Sequence, residues 1–210
     1  AISRLECARV PVADESTGAA PLLYRKHWVE HPVTDSCRAS VHFAGKLPEW
    51  AKHSHAELQA KGIEVIERKE NLPSGTRIVY FPHIRTQNPV AGTSAAWFAA
   101  MRDIVDFPQG NRFNWLIVTD ATHYIAGDEP NPPNYQVCIR GASAVLANEG
   151  MVKNCGSIDL DFRDAEGCSK ALLHELSHEA LDREVSYRGG IRRRAQIHPI
   201  QLETQVSPYL

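Results

Sequence analysis

The stretch ALLHELSH, residues 171–178, decides the fold and the function expected of this 210-residue chain. It contains the pattern His-Glu-x-x-His, with His174 and His178 at its ends and Glu175 beside the first histidine. Good helix formers surround the pattern, and residues 168–187 include no glycine and no proline. Residues i and i+4 share one face of a helix, so both imidazoles can point at the same atom.

Two imidazoles on one helical face predict a bound Zn²⁺ ion. A catalytic zinc takes about three protein ligands and keeps one position open for water. Glu175 points sideways from the histidine face, so it can reach the zinc-bound water and act as a general base. The alternative is an amphipathic helix whose histidines and glutamate lie at the surface, and the charged Glu179 after the pattern favours it.

The third zinc ligand decides the subclass, and four downstream residues are candidates. Asp182 follows His178 by four positions, but it lies about 6 Å further along the helix axis, which suits orienting His178 better than touching the metal. Glu184 can reach the metal if the helix ends near Asp182 and the chain turns back. His198 and Glu203 stand at separations at which a second helix could supply the ligand. The residues themselves leave these alternatives open.

The segment from residue 174 onward resembles the end of an aspzincin (deuterolysin-like) metallopeptidase domain. In that family His-Glu-x-x-His is followed by Gly-Thr-x-Asp-x-x-Tyr-Gly. Residues 181–189 (LDREVSYRG) keep the acid-x-x-Tyr spacing, but they lack Gly-Thr, have Glu for Asp and carry an extra residue before the glycine. The resemblance implies that Glu184 is the third zinc ligand and that Tyr187 donates a hydrogen bond to the oxyanion of the transition state.

The rest of the chain favours an α+β fold, a zincin-like mixed β-sheet with a helix layer that carries the active-site helix. Residues 1–210 are interpreted as one domain, with an irregular N-terminal segment to about residue 35. Loop composition marks 128–133 as a connection, and the arginine run 192–194 is interpreted as a solvated helix face. Predicted strands are 38–44, 63–67, 76–81, 113–119, 135–140 and 157–162, and predicted helices are 48–60, 94–105 and a third from about 165.

Composition limits the partners of the chain. A formal net charge of −2 gives no electrostatic case for nucleic acid, and no apolar run reaches the roughly twenty residues that a membrane span needs. Five cysteines include no C-x-x-C pair, and bridges Cys155–Cys168 and Cys7–Cys37 are conceivable from their positions. Such bridges favour a secreted or exported protein, and a first residue other than Met leaves open whether a leader was removed.

Together these observations predict a zinc-dependent endopeptidase that hydrolyses peptide bonds in proteins or peptides. His174, His178 and Glu184 would bind Zn²⁺, Glu175 would take the proton from the zinc-bound water, and Tyr187 would stabilise the oxyanion. Two alternatives remain: a non-catalytic zincin-fold binding or toxin module, and a zinc hydrolase that acts on a substrate other than a peptide.

Overall fold

A computed structural model describes residues 23–32, 40–82, 91–108, 112–123, 125, 136–178 and 182–200 of the chain. Its helices are α1 (Glu49–Ala60), α2 (Ala91–Val105), α3 (Gln136–Asn148) and α4 (Ala165–Leu176). Its strands are β1 (Leu23–Glu30), β2 (Val41–Gly45), β3 (Arg77–Phe81), β4 (Asn114–Asp120), β5 (Asn154–Leu160), β6 (Glu184–Arg188) and β7 (Ile191–Ile200).

The strands form one sheet in the order β1-β7-β6-β5-β4-β3-β2. Strands β2 to β6 pair in parallel with one another, and β6 pairs with β7 in antiparallel fashion. An isolated parallel bridge joins Val41 to Val65, on the segment that follows α1. The chain therefore passes outward from β2 to Val65 and returns to β3 on the other side of β2, so the direction of winding reverses there.

The central strands are apolar because helices cover both of their faces. All five residues of β3 (RIVYF) are buried, as are the five inner residues of β4. Continuous apolar runs of this kind are typical of parallel strands buried on two sides. Alternate residues then enter different cores: Val79 and Leu116 pack with α1 and α4, whereas Ile78 and Ile117 pack with α2 and α3.

Local chemistry explains where α1 and α4 begin and end. Pro48 immediately precedes α1, and the chain leaves that helix at Gly62, whose φ of +76° suits a residue without Cβ. At the start of α4 the Asp164 side chain accepts a hydrogen bond from the Gly167 backbone N–H at 2.9 Å, which is an N-cap. The sequence predicted both helix starts within a residue or two.

The expected α+β zincin fold is wrong. The sheet is mostly parallel with helices on both faces, which is the doubly wound α/β architecture, whereas the prediction was a mixed sheet with a helix layer. The error follows from β5, α4 and β6, which form one parallel crossover unit. The first part of the His-Glu-x-x-His segment, His174 to Leu176, forms the end of the crossover helix of that unit, and His178 follows it.

Several local predictions were also wrong. Residues 135–140 were expected to be a strand, but residues from Gln136 form α3, because the alternation of YQVCIR also fits one turn of a buried helix. The run 192–194 lies on strand β7 and not on a helix. Residues 63–67 contribute only the Val65 bridge, and β1 lies inside the segment expected to be irregular.

The chain consists of two compact units, and each is described by itself. Residues 30–194 form the larger unit and contain the five parallel strands and all four helices. The smaller unit contains residues 1–29 and 195–210, of which 23–29 and 195–200 are described, and within it His27 contacts His198 edge to face at 5.2 Å. The interpretation of residues 1–210 as one domain stays a prediction. No helix among the described residues has the length and apolar character that would cross a membrane.

Gly45 ends β2 in a close approach to β3 that predicts a stability effect. A Cβ at position 45 would lie 2.1 Å from the backbone oxygen of Phe81, and Gly45 has a φ of +83°. We expect Gly45→Ala to lower the free energy of unfolding by about 3 kcal/mol in urea titrations. Gly75→Ala is the control, because Gly75 has φ of +90° but open space around it. Equal losses in the two variants would contradict the importance of the close approach.

Candidate functional site

The last turn of α4, which carries His174 and Glu175, is held at the amino end of β3. Arg77, the first residue of β3, is 3% exposed, and its guanidinium donates to the backbone oxygens of Glu175, Leu176 and His178. A cation at a helix C-terminus satisfies carbonyls that lack partners and complements the helix dipole. The helix ends at Leu176, and His178 follows two residues later.

The Glu175 carboxylate is buried in a dense polar contact. Glu175 is 1% exposed, and its Oε1 accepts hydrogen bonds from Tyr187 Oη at 2.7 Å and from Arg192 Nε at 2.5 Å. Arg192 also donates from Nη2 to Oε2 at 3.3 Å. Both carboxylate oxygens are thus used by the β6–β7 hairpin, and a buried charge is tolerated because it is paired and hydrogen-bonded.

Arg192 extends this contact beyond Glu175. It donates to Asp182 Oδ2 at 2.7 Å and to the backbone oxygen of His31 at 2.8 Å, and Arg194 approaches Asp182 Oδ1 at 3.4 Å. Burial raises the pKa of Asp182, but the hydrogen bonds and charges of Arg192 and Arg194 outweigh it, so the pKa lies below its ordinary value. Burial lowers the pKa of Arg192, and its bonds to Glu175 and Asp182 raise it by more, so the guanidinium stays charged.

Tyr187 joins His174 to this network. Its hydroxyl donates to Glu175 and lies 2.7 Å from His174 Nδ1, so His174 Nδ1–H is the donor in that contact. Burial and the adjacent Glu175 charge raise the pKa of Tyr187, so the phenol stays protonated. Partial burial, followed by the neighbouring His178, lowers the pKa of His174. The two imidazole rings lie edge to face with centroids 4.4 Å apart.

The structure brings together four of the five residues predicted to form the site, three as possible metal ligands and Tyr187 as their hydrogen-bond partner. Among the described residues, the groups able to hold a metal ion include His174, Glu175 and His178, whose ligand atoms lie within 4.8 Å of one another. Tyr187 touches this group, but Glu184 is the first residue of β6 and is not part of it. The catalytic and metal-binding roles assigned to these individual residues stay predictions.

The alternative third ligands lie elsewhere. Asp182 is paired with Arg192, so its carboxylate is engaged by a cation. His198 is on β7 in the smaller unit, where its Nε2 lies 3.1 Å from Gln196 Oε1. Glu203 is outside the described residues, as is the loop 128–133.

A second buried carboxylate, that of Asp159, lies on β5 nearer the carboxyl ends of the strands. Its Oδ1 accepts from the Thr119 hydroxyl at 2.6 Å and from the backbone N–H and hydroxyl of Thr122 at 2.7 Å each. Its Oδ2 accepts from the His123 backbone N–H at 3.0 Å and from Arg188 Nη2 at 2.6 Å. These bonds join β4, β5 and β6 and leave the carboxylate saturated.

A cavity of about 170 Å³ lies beside the start of α4, lined by Leu160, Asp161, Asp164, Gly167, Cys168, Tyr187, Gly189 and Gly190. Its polar groups are engaged, since Asp164 caps the helix and Asp161 pairs with Arg163 at 2.7 Å. Burial raises the pKa of Cys168 to about 12, so this thiol is not a nucleophile at neutral pH.

Cys155 and Cys168 are both free, so the conceivable bridge between them is absent, and Cys7 and Cys37 lie outside the described residues.

No known protein family and no curated protein sequence matches the chain. Solved structures do match. The ketoreductase from the first module of phoslactomycin biosynthesis in Streptomyces sp. HK803 aligns with a TM-score of 0.54 and 15% identity over 85% of this chain. A C2-type ketoreductase from a modular polyketide synthase gives 0.55 and 15% over 86%, and a keto acid-selecting NRPS module with adenylation, ketoreductase and pseudo-Asub domains gives 0.59 and 12% over 86%.

These matches establish the fold as Rossmann-like. The chain spans less than half of each of these three structures: 38% of the first chain, 44% of the second and 18% of the third. At such low identity the likeness concerns the fold and carries no activity with it.

The comparisons overturn the metallopeptidase interpretation. The chain has a ketoreductase-like fold and not that of an aspzincin or any other zincin, so the predicted zinc endopeptidase, its Zn²⁺ cofactor and the description as a protease are wrong. The two zincin-based alternatives gain no support either. The physical reason is visible at Glu175, because Arg192 occupies the carboxylate that was expected to reach a zinc-bound water.

The fold family implies a nicotinamide dinucleotide, which the residues of the first turn do not fit. The dinucleotide fingerprint G-x-G-x-x-G needs small residues where the backbone meets the pyrophosphate and where helix meets strand. With Gly45 as its first glycine, the second and third positions are Leu47 and Trp50. Leu47 packs against the core, and Trp50 is 8% exposed and contacts Phe81 and Phe162.

Two further features oppose a phosphate at this turn. Glu49 places a carboxylate in the first turn of α1, where a phosphate group would be repelled. In the complete sequence no two glycines are separated by a single residue, so the G-x-G core of the fingerprint is absent everywhere.

Sequence reasoning missed Arg77, Arg192 and Asp159, which hold the polar clusters together. Arg192 had a usable signal. Gly189 and Gly190, with φ of +55° and +76°, form a two-residue hairpin turn, and a Gly-Gly pair between alternating segments is a hairpin signal. Arg77 and Asp159 carried no local signal, because their partners are far away in the chain.

The Glu175–Arg192 pair predicts a large loss of stability when one partner is removed. Arg192→Met leaves a buried carboxylate without its cation, and we expect the free energy of unfolding in urea to fall by about 3–5 kcal/mol. The double variant Glu175→Leu/Arg192→Met should recover much of this loss. Arg163→Met is the control, because its pair with Asp161 is exposed on the arginine side and should change stability by no more than about 0.5 kcal/mol. Equal losses in Arg192→Met and Arg163→Met would contradict a structural role for the pair.

The lowered pKa of His174 predicts a pH dependence of stability. As the pH falls below the ordinary histidine value of 6.5, the unfolded chain takes up this proton before the folded chain does. The free energy of unfolding should therefore decrease as the pH falls from about 7.5 to about 5.5. His174→Gln should show a smaller decrease in urea titrations, whereas His53→Gln, at an exposed site on α1, should match the parent. An unchanged slope in His174→Gln would contradict the prediction.

Proposed function

We propose that this chain serves a ketoreductase-type oxidoreductase as a structural Rossmann-like domain, and that a partner domain binds the nicotinamide cofactor. One observation carries the proposal: Leu47 and Trp50 fill the turn that a dinucleotide would need, in a fold that covers less than half of the ketoreductases it matches. The reduction of a carbonyl group would then take place on the partner domain.

The use of the buried charges supports a structural role. Glu175 and Asp159 are the kind of buried carboxylates that often take part in catalysis. Here every oxygen of both carboxylates accepts hydrogen bonds from the protein, and each carboxylate is paired with an arginine. Groups held in this way join strands and helices into a rigid body, and they have no oxygen left to take a proton from a substrate.

Rigidity of this kind suits a domain that supports another. A partner domain needs a surface of constant shape, since small displacements of positioned groups are costly for catalysis. Asp159 joins β4, β5 and β6 near their carboxyl ends, and Arg77 joins β3 to α4 at the other end. Both ends of the sheet are therefore braced by side chains in the larger unit.

Cofactor binding by the chain alone tests the proposal. Titration of the 210-residue chain with NADPH, followed by calorimetry and cofactor fluorescence, should show no saturable binding below about 1 mM. An intact ketoreductase under the same conditions provides the positive control. Micromolar binding that weakens in Lys46→Ala, at the first turn, would overturn the proposal and make the chain itself a cofactor-binding reductase. Glu49→Gln should bind no more cofactor than the parent if packing at Leu47 and Trp50 is the main obstacle.

A further inference from the structure

His178 has a buried ring nitrogen beside the polar cluster at the end of α4. The residue is 5% exposed, and its Nδ1 is buried without a hydrogen-bond partner in the part of the chain that the structure describes. A buried polar atom that lacks a partner costs free energy, and in native proteins it often marks a place where water or an ion binds. The ring of His178 is therefore short of one contact.

His174 supplies a second nitrogen next to that ring. Its Nδ1–H donates to Tyr187 Oη, and the Tyr187 hydroxyl donates in turn to Glu175. A neutral imidazole that carries its proton on Nδ1 keeps a lone pair on Nε2. Histidines that ligate metals commonly donate their other N–H in this way, because the hydrogen bond fixes the tautomer and the orientation of the ring. The His174 side chain is 40% exposed, so an ion can reach it from solvent.

The two imidazoles are close enough to bind one ion between them. A nitrogen of His174 and a nitrogen of His178 lie within 4.8 Å of each other, and the ring centroids are 4.4 Å apart. A metal about 2.0 Å from each nitrogen would lie about 3.1 Å from each centroid. Two rings at this spacing subtend about 90° at the metal, which is the angle between neighbouring ligands in tetragonal coordination.

The carboxylates nearest the two histidines are engaged, and this decides between metals. Both oxygens of Glu175 accept hydrogen bonds from Tyr187 or Arg192, and Asp182 is paired with Arg192. A zinc site needs about three protein ligands, so two imidazoles alone do not suit Zn²⁺. Cu²⁺ prefers nitrogen and oxygen ligands in tetragonal geometry and has the highest affinity in the Irving–Williams order, so two imidazoles and water suffice for it.

The charges around the histidines permit a further cation. The Glu175 carboxylate offsets Arg192, and the Asp182 carboxylate lies between Arg192 and Arg194. Lys61, at the end of α1, also acts on His174, but it is exposed and its charge is screened by solvent. An ion bound by the two rings therefore meets a cluster that is close to neutral.

We propose that His174 and His178 form a binding site for Cu²⁺, in which water fills the remaining positions around the ion. This inference goes beyond the proposed function and does not depend on it. The site has no hydrolytic role, because the Glu175 carboxylate that would act as a base is bound to Arg192. Its effect is structural: the ion joins the last turn of α4 to the chain after it, and a ligand that binds only the folded chain stabilises that state.

Titration of the chain with Cu²⁺ at neutral pH tests this inference. Exposed thiols such as that of Cys138 are first blocked with iodoacetamide, because Cu²⁺ oxidises free thiols. We expect a tetragonal Cu²⁺ signal in electron paramagnetic resonance, with hyperfine structure from two nitrogens and a dissociation constant of about 10 μM or lower. Zn²⁺ should bind at least about ten-fold more weakly than Cu²⁺.

Three variants identify the ligands. His174→Gln/His178→Gln should bind one Cu²⁺ fewer per chain than the parent and lose the increase in Tm that Cu²⁺ causes. His27→Gln/His198→Gln is the matched control, because it removes another pair of contacting rings, in the smaller unit, and should keep both properties. Tyr187→Phe retains both ligands but removes the hydroxyl that orients His174, so Cu²⁺ affinity should fall by about ten-fold or more.

Three outcomes would overturn the site. The first is equal Cu²⁺ stoichiometry in the parent and in His174→Gln/His178→Gln, and the second is a signal without nitrogen hyperfine structure. The third is binding of Zn²⁺ as tight as that of Cu²⁺, because a further protein ligand would then complete the coordination. If the double variant fails to fold, unchanged Cu²⁺ affinity in Tyr187→Phe overturns the proposal. NADPH titration of the chain tests the proposed function separately.

Discussion

The ion pair between Glu175 and Arg192 links the helical layer of α1 and α4 to the end of the parallel sheet. Buried in the larger unit, it connects the last turn of α4 to the β6–β7 hairpin, and Tyr187 and Asp182 complete its hydrogen bonds. Each partner depends on the other, because a buried charge that loses its counterion is far costlier than the pair. The position of the hairpin and the end of the helix are thus set together.

A second constraint acts at the other side of the same helix. From the start of β3, Arg77 donates to the backbone oxygens of Glu175, Leu176 and His178, where α4 ends. The helix therefore ends before Asp182, the one candidate third ligand that was considered on an unbroken helix. Glu184 begins β6, which pairs with β5, whereas the sequence favoured a turn back toward a metal there.

The two helix layers of the domain have different outer surfaces. Both layers bury their inner sides, yet α1 and α4 expose paired charges while α2 and α3 expose Phe98 and Val145.

Sequence determined much of the local structure: the starts of α1 and α4, the buried strands β3 and β4, and the pairing of His174, Glu175 and His178 at one place. These follow from capping residues, apolar runs and helical periodicity, which act over a few positions. Tertiary structure decided the winding of the sheet and the use of the Glu175 carboxylate. Its partner Arg192 is 17 residues away across a helix end and a hairpin, and Arg77 is 98 residues from the carbonyl of Glu175 that it contacts. A His-Glu-x-x-His pattern keeps its three side chains close together along the chain, but the charge that the carboxylate meets depends on residues that only the folded chain brings to it.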